Sequence, residues 1–179
     1  MRTCYRAIGV LLLLTAGRSV ADEPAAPEAA SAGVWQQHEY QLTFTGIHAT
    51  YSCDWLEEKL RLLLKKAGAR ADLHIHTHCQ QPSGPSPGAE AHLSFFALAL
   101  ATDAGDPPAV WRKVVLHDHY PLALEASDCE LVDQFRAELL PLFATRSIVN
   151  RMSCRGGDND SQGLNLQFEV LVPAGKAGR

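Results

Sequence analysis

The sequence predicts an α+β domain in which one strand-helix-strand-strand unit occurs twice in tandem. The first observation is a repeat with offsets of 76, 76 and 75 positions, in which Trp35, Cys53 and Cys79 recur as Trp111, Cys129 and Cys154. The second is that apolar residues in each copy alternate, then recur at helical spacing, then alternate again over two segments. Two βαββ units predict two layers, with the helices on one face of a six-stranded sheet or of two three-stranded sheets. We expect one domain over 34–173, with the copies over 34–102 and 110–173.

The first copy is predicted as strand, helix and hairpin. Tyr40, Leu42 and Phe44 alternate with polar residues, which indicates a half-buried strand over 35–45. A helix is predicted over 52–67, followed by Gly68 as a stop signal. Its apolar residues at helical spacing are Trp55, Leu56, Leu60, Leu63, Leu64 and Ala67. Segments 71–79 and 91–101 are the predicted hairpin strands, because the stretch between them is rich in proline, glycine and serine.

The second copy repeats this order with different residues. Its strand is predicted over 111–120, its helix over 128–140 and its hairpin over 147–154 and 164–172. Ser127 and Glu130 have the spacing of a capping box, with Asp128 as the alternative N-cap residue. Pro141 is expected to end or bend the helix near Leu140, because proline cannot continue a regular helix.

The N-terminus predicts an export signal. Arg2 and Arg6 precede an apolar run over 7–16, and Ser19-Val20-Ala21 supplies the small residues of a cleavage site, so we expect a signal peptide over 1–21 with cleavage after Ala21. The apolar run is shorter than the roughly 20 residues that cross a bilayer, and no transmembrane segment is expected in the mature chain. Residues 22–33 are rich in alanine, proline and glutamate and predict a flexible linker. Residues 174–179 are a predicted C-terminal tail.

Charge argues against one class of partner. The full chain has a net charge of −4. Removal of the signal peptide, with its three arginines, leaves 13 basic and 20 acidic side chains, a net charge of −7. Nucleic acid is therefore an unfavourable partner. We expect a periplasmic or secreted location, with a periplasmic protein as one conceivable partner.

The four mature cysteines predict two disulfides. In a strand-helix-strand crossover the start of the helix returns beside the far end of the next strand. Cys53 and Cys129 lie at predicted helix starts, and Cys79 and Cys154 lie at the ends of the following strands. Of the three possible pairings, Cys53–Cys79 with Cys129–Cys154 respects the repeat without requiring a contact between copies. A helix N-terminus also favours a reactive thiolate, but the chain has no Cys-x-x-Cys pair.

Histidines form the most suggestive chemical pattern. His74, His76 and His78 alternate along one predicted strand, so their imidazoles share one face. His117 and His119 repeat this spacing in the second copy. If the two strands are neighbours, five imidazoles share a surface suited to zinc, copper or nickel. The other interpretation is the solvated face of an antiparallel sheet, without a cofactor.

Catalytic motifs are weak. The sequence has no Gly-x-Ser-x-Gly elbow, phosphate-binding glycine loop or His-Glu-x-x-His helix. Trp35, Trp55 and Trp111 are interpreted as packing anchors. A hydrolase is the third hypothesis, after a binding domain and a metal-binding protein.

The first helix and its flanks resemble a known group of proteins. The segment Tyr51-Ser52-Cys53-Asp54-Trp55-Leu56-Glu57-Glu58-Lys59-Leu60, followed by Gly68-Ala69-Arg70 and Cys79, is similar to uncharacterised exported proteins of proteobacteria. Those proteins have a small residue at the position of Trp55, where this chain differs. The resemblance spans the first copy as far as Cys79. It implies export and a disulfide, and it brings no activity, cofactor or catalytic residue. We expect a non-enzymatic binding or envelope-interaction domain, with a strand-histidine metal protein as the alternative.

Overall fold

The structure, a computed structural model, describes residues 31–46, 50–79, 88–102, 107–118, 124–154 and 163–175. The predicted signal peptide, its cleavage point and residues 22–30 of the predicted linker lie outside these ranges. The helices and strands are β1 (Ser31–Thr45), α1 (Cys53–Lys66), β2 (His74–Cys79), β3 (Gly88–Leu100), β4 (Pro108–His117), α2 (Cys129–Gln134), β5 (Thr145–Asn150) and β6 (Asn165–Pro173). We call residues 31–102 the first half and residues 107–175 the second half.

The strands form one six-stranded sheet in the order β2-β3-β1-β4-β6-β5, and all neighbours are antiparallel. The predicted α+β class is confirmed. The sheet consists of two three-stranded ladders that are joined where Ser31 and Ala32 of β1 pair with Ala109 and Pro108 of β4. The Gly33 amide extends this joint by donating to the Pro107 carbonyl at 3.0 Å. The strand order from the edge of the sheet inwards is the same in both halves: the second strand of the half, then its third strand, then its first strand.

Strand bounds differ from the predictions mainly at their ends. β1 begins at Ser31, so residues 31–33 are strand and not linker. Small residues allow this close joint: a Cβ atom on Gly33 would lie 2.9 Å from Cγ of Leu98. β5 starts two residues earlier than predicted, and it contains a bulge between Arg146 and Val149 where Ser147 has a φ of 55°.

The main core lies between the sheet and the helices. Its largest fully buried side chains include Leu42, Phe44, Leu56, Leu60, Leu63, Leu64, Phe95, Leu116, Leu131, Phe135 and Phe168. These residues have the two-residue period of the strands and the helical spacing that the sequence shows. Within the described ranges, no helix packs on the opposite face of the sheet, and we call it the open face.

Local sequence explains both ends of α1. The Ser52 hydroxyl accepts a hydrogen bond from the amide of Trp55 at 3.4 Å, as an N-cap residue does. Gly68 has a φ of +93°, and the amide of Ala69 donates to the carbonyl of Leu64. This is the glycine-terminated end that the sequence predicts.

The second helix is less regular. α2 continues into a π-helical turn over Phe135–Leu139 and a 3-10 turn over Leu140–Leu142. Pro141 has no amide hydrogen, and its ring excludes the regular i−4 carbonyl, which explains the distortion. The predicted capping box is wrong: the reciprocal bonds join Glu125 and Asp128, and Ser127 donates its hydroxyl to Glu125.

A small second cluster lies on the open face near the joint. Leu98, Ala109 and Leu171 are buried there against the half-buried Trp35 and Trp111. The two tryptophans are therefore packing anchors, but on the face away from the helices. The third, Trp55, is 55% exposed, so its predicted anchoring role is wrong.

An arginine side chain lies over the ring of each tryptophan in this cluster. The Arg70 guanidinium lies 5.5 Å from the ring centre of Trp35, and that of Arg146 lies 4.4 Å from the ring centre of Trp111. Arg70 and Arg146 are 76 positions apart, the same offset as the tryptophans. The sequence therefore holds a fourth recurring pair.

Both expected disulfides are present. Cys53 is joined to Cys79 and Cys129 to Cys154, with Cα–Cα distances of 5.9 and 5.3 Å. Each bond links a helix start to the far end of the next strand, as the crossover predicts: Cys79 is the last residue of β2, and Cys154 lies four residues beyond β5. In the described ranges, none of the helices has the length and apolar character needed to cross a membrane.

Candidate functional site: the imidazole face

The histidines of β2 lie on the open face of the first half, in register with β3 and β1. The alternation of β2 buries Cys79 and leaves His74, His76 and His78 exposed. Three cross-strand rows define what we call the imidazole face: His78, Glu90 and Thr43; His76, His92 and Gln41; His74, Ser94 and Glu39. In every row, the β3 residue lies between its partners on β2 and β1.

This surface is concave. A shallow groove of about 590 Å³ lies over two of the rows. Its lining includes Glu39, Gln41, His74, His76, His92 and Ser94. The backbone at Tyr40 and Leu93 forms part of its floor, since both side chains pack in the main core on the opposite face of the sheet. A groove with a few converging polar groups is typical of a site that orients a small ligand.

His92 was not among the histidines selected from the sequence. It is the direct partner of His76 across the β2–β3 ladder, although the two lie 16 positions apart in the chain. The signal that could identify it is the alternation of Ala91, Leu93 and Phe95, which directs His92 to the open face. Only the hairpin register brings it opposite His76.

His117 does not join this group. β4 is separated from β2 by β1 and β3. β1 and β4 run in opposite directions from their joint, where Ser31 pairs with Ala109. His117 lies eight residues beyond that joint on β4, and Gln41 lies ten residues beyond it on β1. At about 3.3 Å per residue, the positions of His117 and His76 are separated by about 60 Å along the strands.

The expected sharing of one surface by five imidazoles is therefore not what the topology shows. His119 lies outside the described residues. Within the described ranges, no three side chains of histidine, cysteine, aspartate or glutamate are already gathered as a metal site.

An ion pair flanks the imidazole face on the β2 side. Arg70 donates two hydrogen bonds to Asp72, at 2.8 and 2.6 Å. The hydrogen bond from Arg70 lowers the pKa of the Asp72 carboxyl, and His74 adds a smaller effect in the same direction. The Arg70 guanidinium also lies 3.7 Å from the ring centre of Phe96. The guanidinium of Arg70 is therefore paired with Asp72 and stacked on Phe96, beside the histidines.

His38 belongs to the other face of the sheet. It stacks on Phe95 with ring centres 5.5 Å apart. Burial lowers the pKa of its imidazole. This histidine is therefore part of the packing and not of the imidazole face.

A hydrogen-bonded cluster of ionisable side chains is buried between the halves. Asp128, only 1% exposed, accepts hydrogen bonds from the Tyr51 hydroxyl at 2.7 Å, from Lys59 Nζ at 2.8 Å and from the Glu125 amide at 2.8 Å. Burial, followed by the hydrogen bond to Asp128, raises the pKa of Tyr51. Because these side chains are enclosed, we interpret them as a structural link and not as a catalytic site.

The fold also assembles a basic groove that the linear sequence does not show. Lys65 and Lys66 at the end of α1 meet Arg112 and Lys113 of β4 around a groove of about 520 Å³. The Arg112 guanidinium donates to the Lys66 carbonyl at 3.0 Å, which completes the helix end. These basic residues come together only in the fold, since Lys66 and Arg112 lie 46 positions apart in the chain.

Comparison with protein-family models, curated proteins and solved structures found no match to this chain.

Proposed function

We propose that the protein is an exported, disulfide-stabilised binding domain whose ligand-contacting surface is the imidazole face. The observation that carries this proposal is the groove on that face, where the exposed His74, His76 and His92 converge beside the side chains of Gln41 and Glu39. Among the described residues no helix covers the open face, so a ligand reaches these side chains without rearrangement of the core.

A binding role is favoured over hydrolysis by the location of the titratable groups. The enclosed Tyr51, Lys59 and Asp128 already satisfy one another. The groove itself presents imidazoles, an amide and a carboxylate, a set suited to coordination and hydrogen bonding.

Export is supported by two observations. The first is the N-terminal pattern of charge, apolar run and small residues. The second is the presence of two disulfides, which persist in the periplasm and outside cells. Expression of the full chain in a bacterium tests this: the periplasmic fraction should contain a protein that starts at Asp22 and has no free thiol. Recovery of a reduced, uncleaved chain from the cytoplasm alone would contradict export.

We further infer that the halves descend from one duplicated βαββ unit. The matched element order, the two disulfides and the recurring Trp-Arg stacks support this inference. On this proposal, the halves retained their framework while the open face of the first half acquired its histidines.

Binding at the imidazole face is tested by fragment screening with amide NMR on the full mature protein. A library of small aromatic and carboxylate fragments should perturb amides of β2 and β3 around His76 and His92. The matched region of the second half, around Val149 and Gln167, should stay unperturbed. Hits that map to the second half, or that scatter over the whole surface, would overturn the assignment.

A further inference from the structure

His76 and His92 form a cross-strand imidazole pair. They occupy directly opposite positions on β2 and β3, and both are exposed on the open face. Directly opposite residues of antiparallel strands have Cβ atoms about 4.5–5.5 Å apart. Two imidazoles on such a scaffold can direct one nitrogen each at a common point.

The chemistry of that pair suits a transition metal. Neutral imidazole is a good ligand for copper, nickel and zinc, with metal–nitrogen distances of about 2.0–2.1 Å for zinc. Both histidines are on strands of a paired ladder, so their backbones do not need to be ordered on binding. Among divalent ions, copper binds most tightly to a given nitrogen site.

The surroundings add further donors and a favourable charge. His74 and His78 lie two residues before and after His76 on the same face, within reach as a third ligand. Glu90 and Glu39 lie in the adjacent rows and make the local potential more negative. The positive charge of Arg70, on the β2 side of this face, is paired with Asp72.

We propose that His76 and His92, with His74 or His78 as the third donor, bind one divalent transition-metal ion, Cu²⁺ most tightly, with water at the remaining positions. The inference rests on the proposed function, since it names the class of ligand for the imidazole face. It differs from the pattern seen in the sequence, because His92 replaces His117 as the partner of His76.

The test is calorimetric titration of the untagged mature protein with Cu²⁺, Ni²⁺ and Zn²⁺ separately, joined to electron paramagnetic resonance of the copper form. We expect one Cu²⁺ per chain, nitrogen couplings from at least two imidazoles, and weaker binding of Ni²⁺ and Zn²⁺. His92→Asn and His76→Asn should each weaken Cu²⁺ binding about tenfold or more.

The matched control is His117→Asn, which removes an open-face histidine of the second half and should leave the affinity unchanged. Thermal unfolding of the variants verifies that the exposed substitutions preserve the fold.

Absence of saturable Cu²⁺ binding, or binding that survives in the double variant His76→Asn with His92→Asn, overturns the metal site. If Cu²⁺ fails while fragments still map to the imidazole face, the metal inference falls and the binding surface stands. If both fail, the proposed function falls with it.

Discussion

The two halves share a framework and differ in what they place on it. Each has a long strand, a helix tied by a disulfide to the far end of the next strand, and a hairpin. Each also stacks an arginine on its tryptophan near the joint of the sheet. On the open face, by contrast, the hairpin of the first half presents His74, His76 and His92, whereas that of the second half presents Val149 and Gln167. Positions that pack or crosslink are matched, whereas these exposed positions differ.

The helices show how a few residues produce a different element. α1 is a regular 14-residue helix between Ser52 and Gly68. Its counterpart has Asp128 at the position matching Ser52, 76 residues on, and Pro141 within its last turns. Asp128 makes no cap hydrogen bond to its own helix, because its carboxylate serves Lys59 and Tyr51 of the first half. The irregular start of α2 is therefore associated with a contact that joins the halves.

The largest expected effect comes from exchanging these matched residues. Asp128→Ser leaves the buried Lys59 ammonium without its carboxylate and should lower the free energy of unfolding by about 3–5 kcal/mol. Ser52→Asp, at the exposed start of α1, should change it by less than about 0.5 kcal/mol, since both residues cap helices well. Denaturant unfolding measures both values.

A double variant sharpens this comparison. Lys59→Met with Asp128→Leu removes both charges and should recover much of the loss, because buried pairs often tolerate apolar replacement. Equal effects of Asp128→Ser and Ser52→Asp would show that the buried ion pair does not join the halves.

Removal of either disulfide should produce similar losses. The bonds close loops with sequence separations of 26 and 25 residues, so loop-closure entropy predicts about 3.5 kcal/mol for each. We expect Cys53→Ser with Cys79→Ser, and Cys129→Ser with Cys154→Ser, to lower unfolding free energies equally within about 1 kcal/mol. A several-fold difference between the two losses of unfolding free energy, measured by denaturant unfolding, would contradict the prediction that the two disulfides act equally through loop-closure entropy.

The end of α1 offers a smaller effect. Gly68 has a φ of +93°, and a Cβ atom there would lie 3.1 Å from Cγ1 of Val172. Gly68→Ala should therefore cost about 1–2 kcal/mol. Gly175→Ala is the control, because nothing lies within 4 Å of its added Cβ. Equal unfolding midpoints for both variants would contradict the glycine-dependent helix end.

The smallest expected effect concerns pH. The pKa of His38 is lowered by burial, so the unfolded chain takes up a proton at this site before the folded chain does. Neutral His38 therefore contributes to the free energy of unfolding above the unfolded histidine pKa of about 6.5. This contribution is lost as the pH falls from that value through the lower pKa of the folded state. His38→Val introduces the residue of the matched position, Val114, and should flatten the acid side of the melting-temperature profile. An unchanged acid limb would show that His38 ionises alike in both states.

Local patterns predicted the parts of the structure that local physics determines. Alternation located the strands, Gly68 ended α1, and Pro141 distorted the second helix, because each effect acts within a few residues. Strand order, the two-residue joint and the Lys59–Asp128 pair, 69 positions apart, depend on long-range packing. The candidate site could be predicted only in part. The alternation of β2 predicts that His74, His76 and His78 share a face, but the hairpin register and the strand order are needed to show that His92, and not His117, lies opposite His76.

The most direct test of the account transplants the imidazole pair between the halves. The second-half positions matching His76 and His92 are Arg151 and Asn165, whose backbones are linked by a 2.9 Å hydrogen bond from the Arg151 amide. Val149 is the position that matches His74, the third donor. Cu²⁺ stoichiometry measured by calorimetry should be one per chain in the wild type, none in His76→Arg with His92→Asn, and two in the triple variant Val149→His, Arg151→His and Asn165→His. Retention of one ion by the first variant, or no gain in the second with its fold intact, would contradict the claim that two matched frameworks differ in function through this pair.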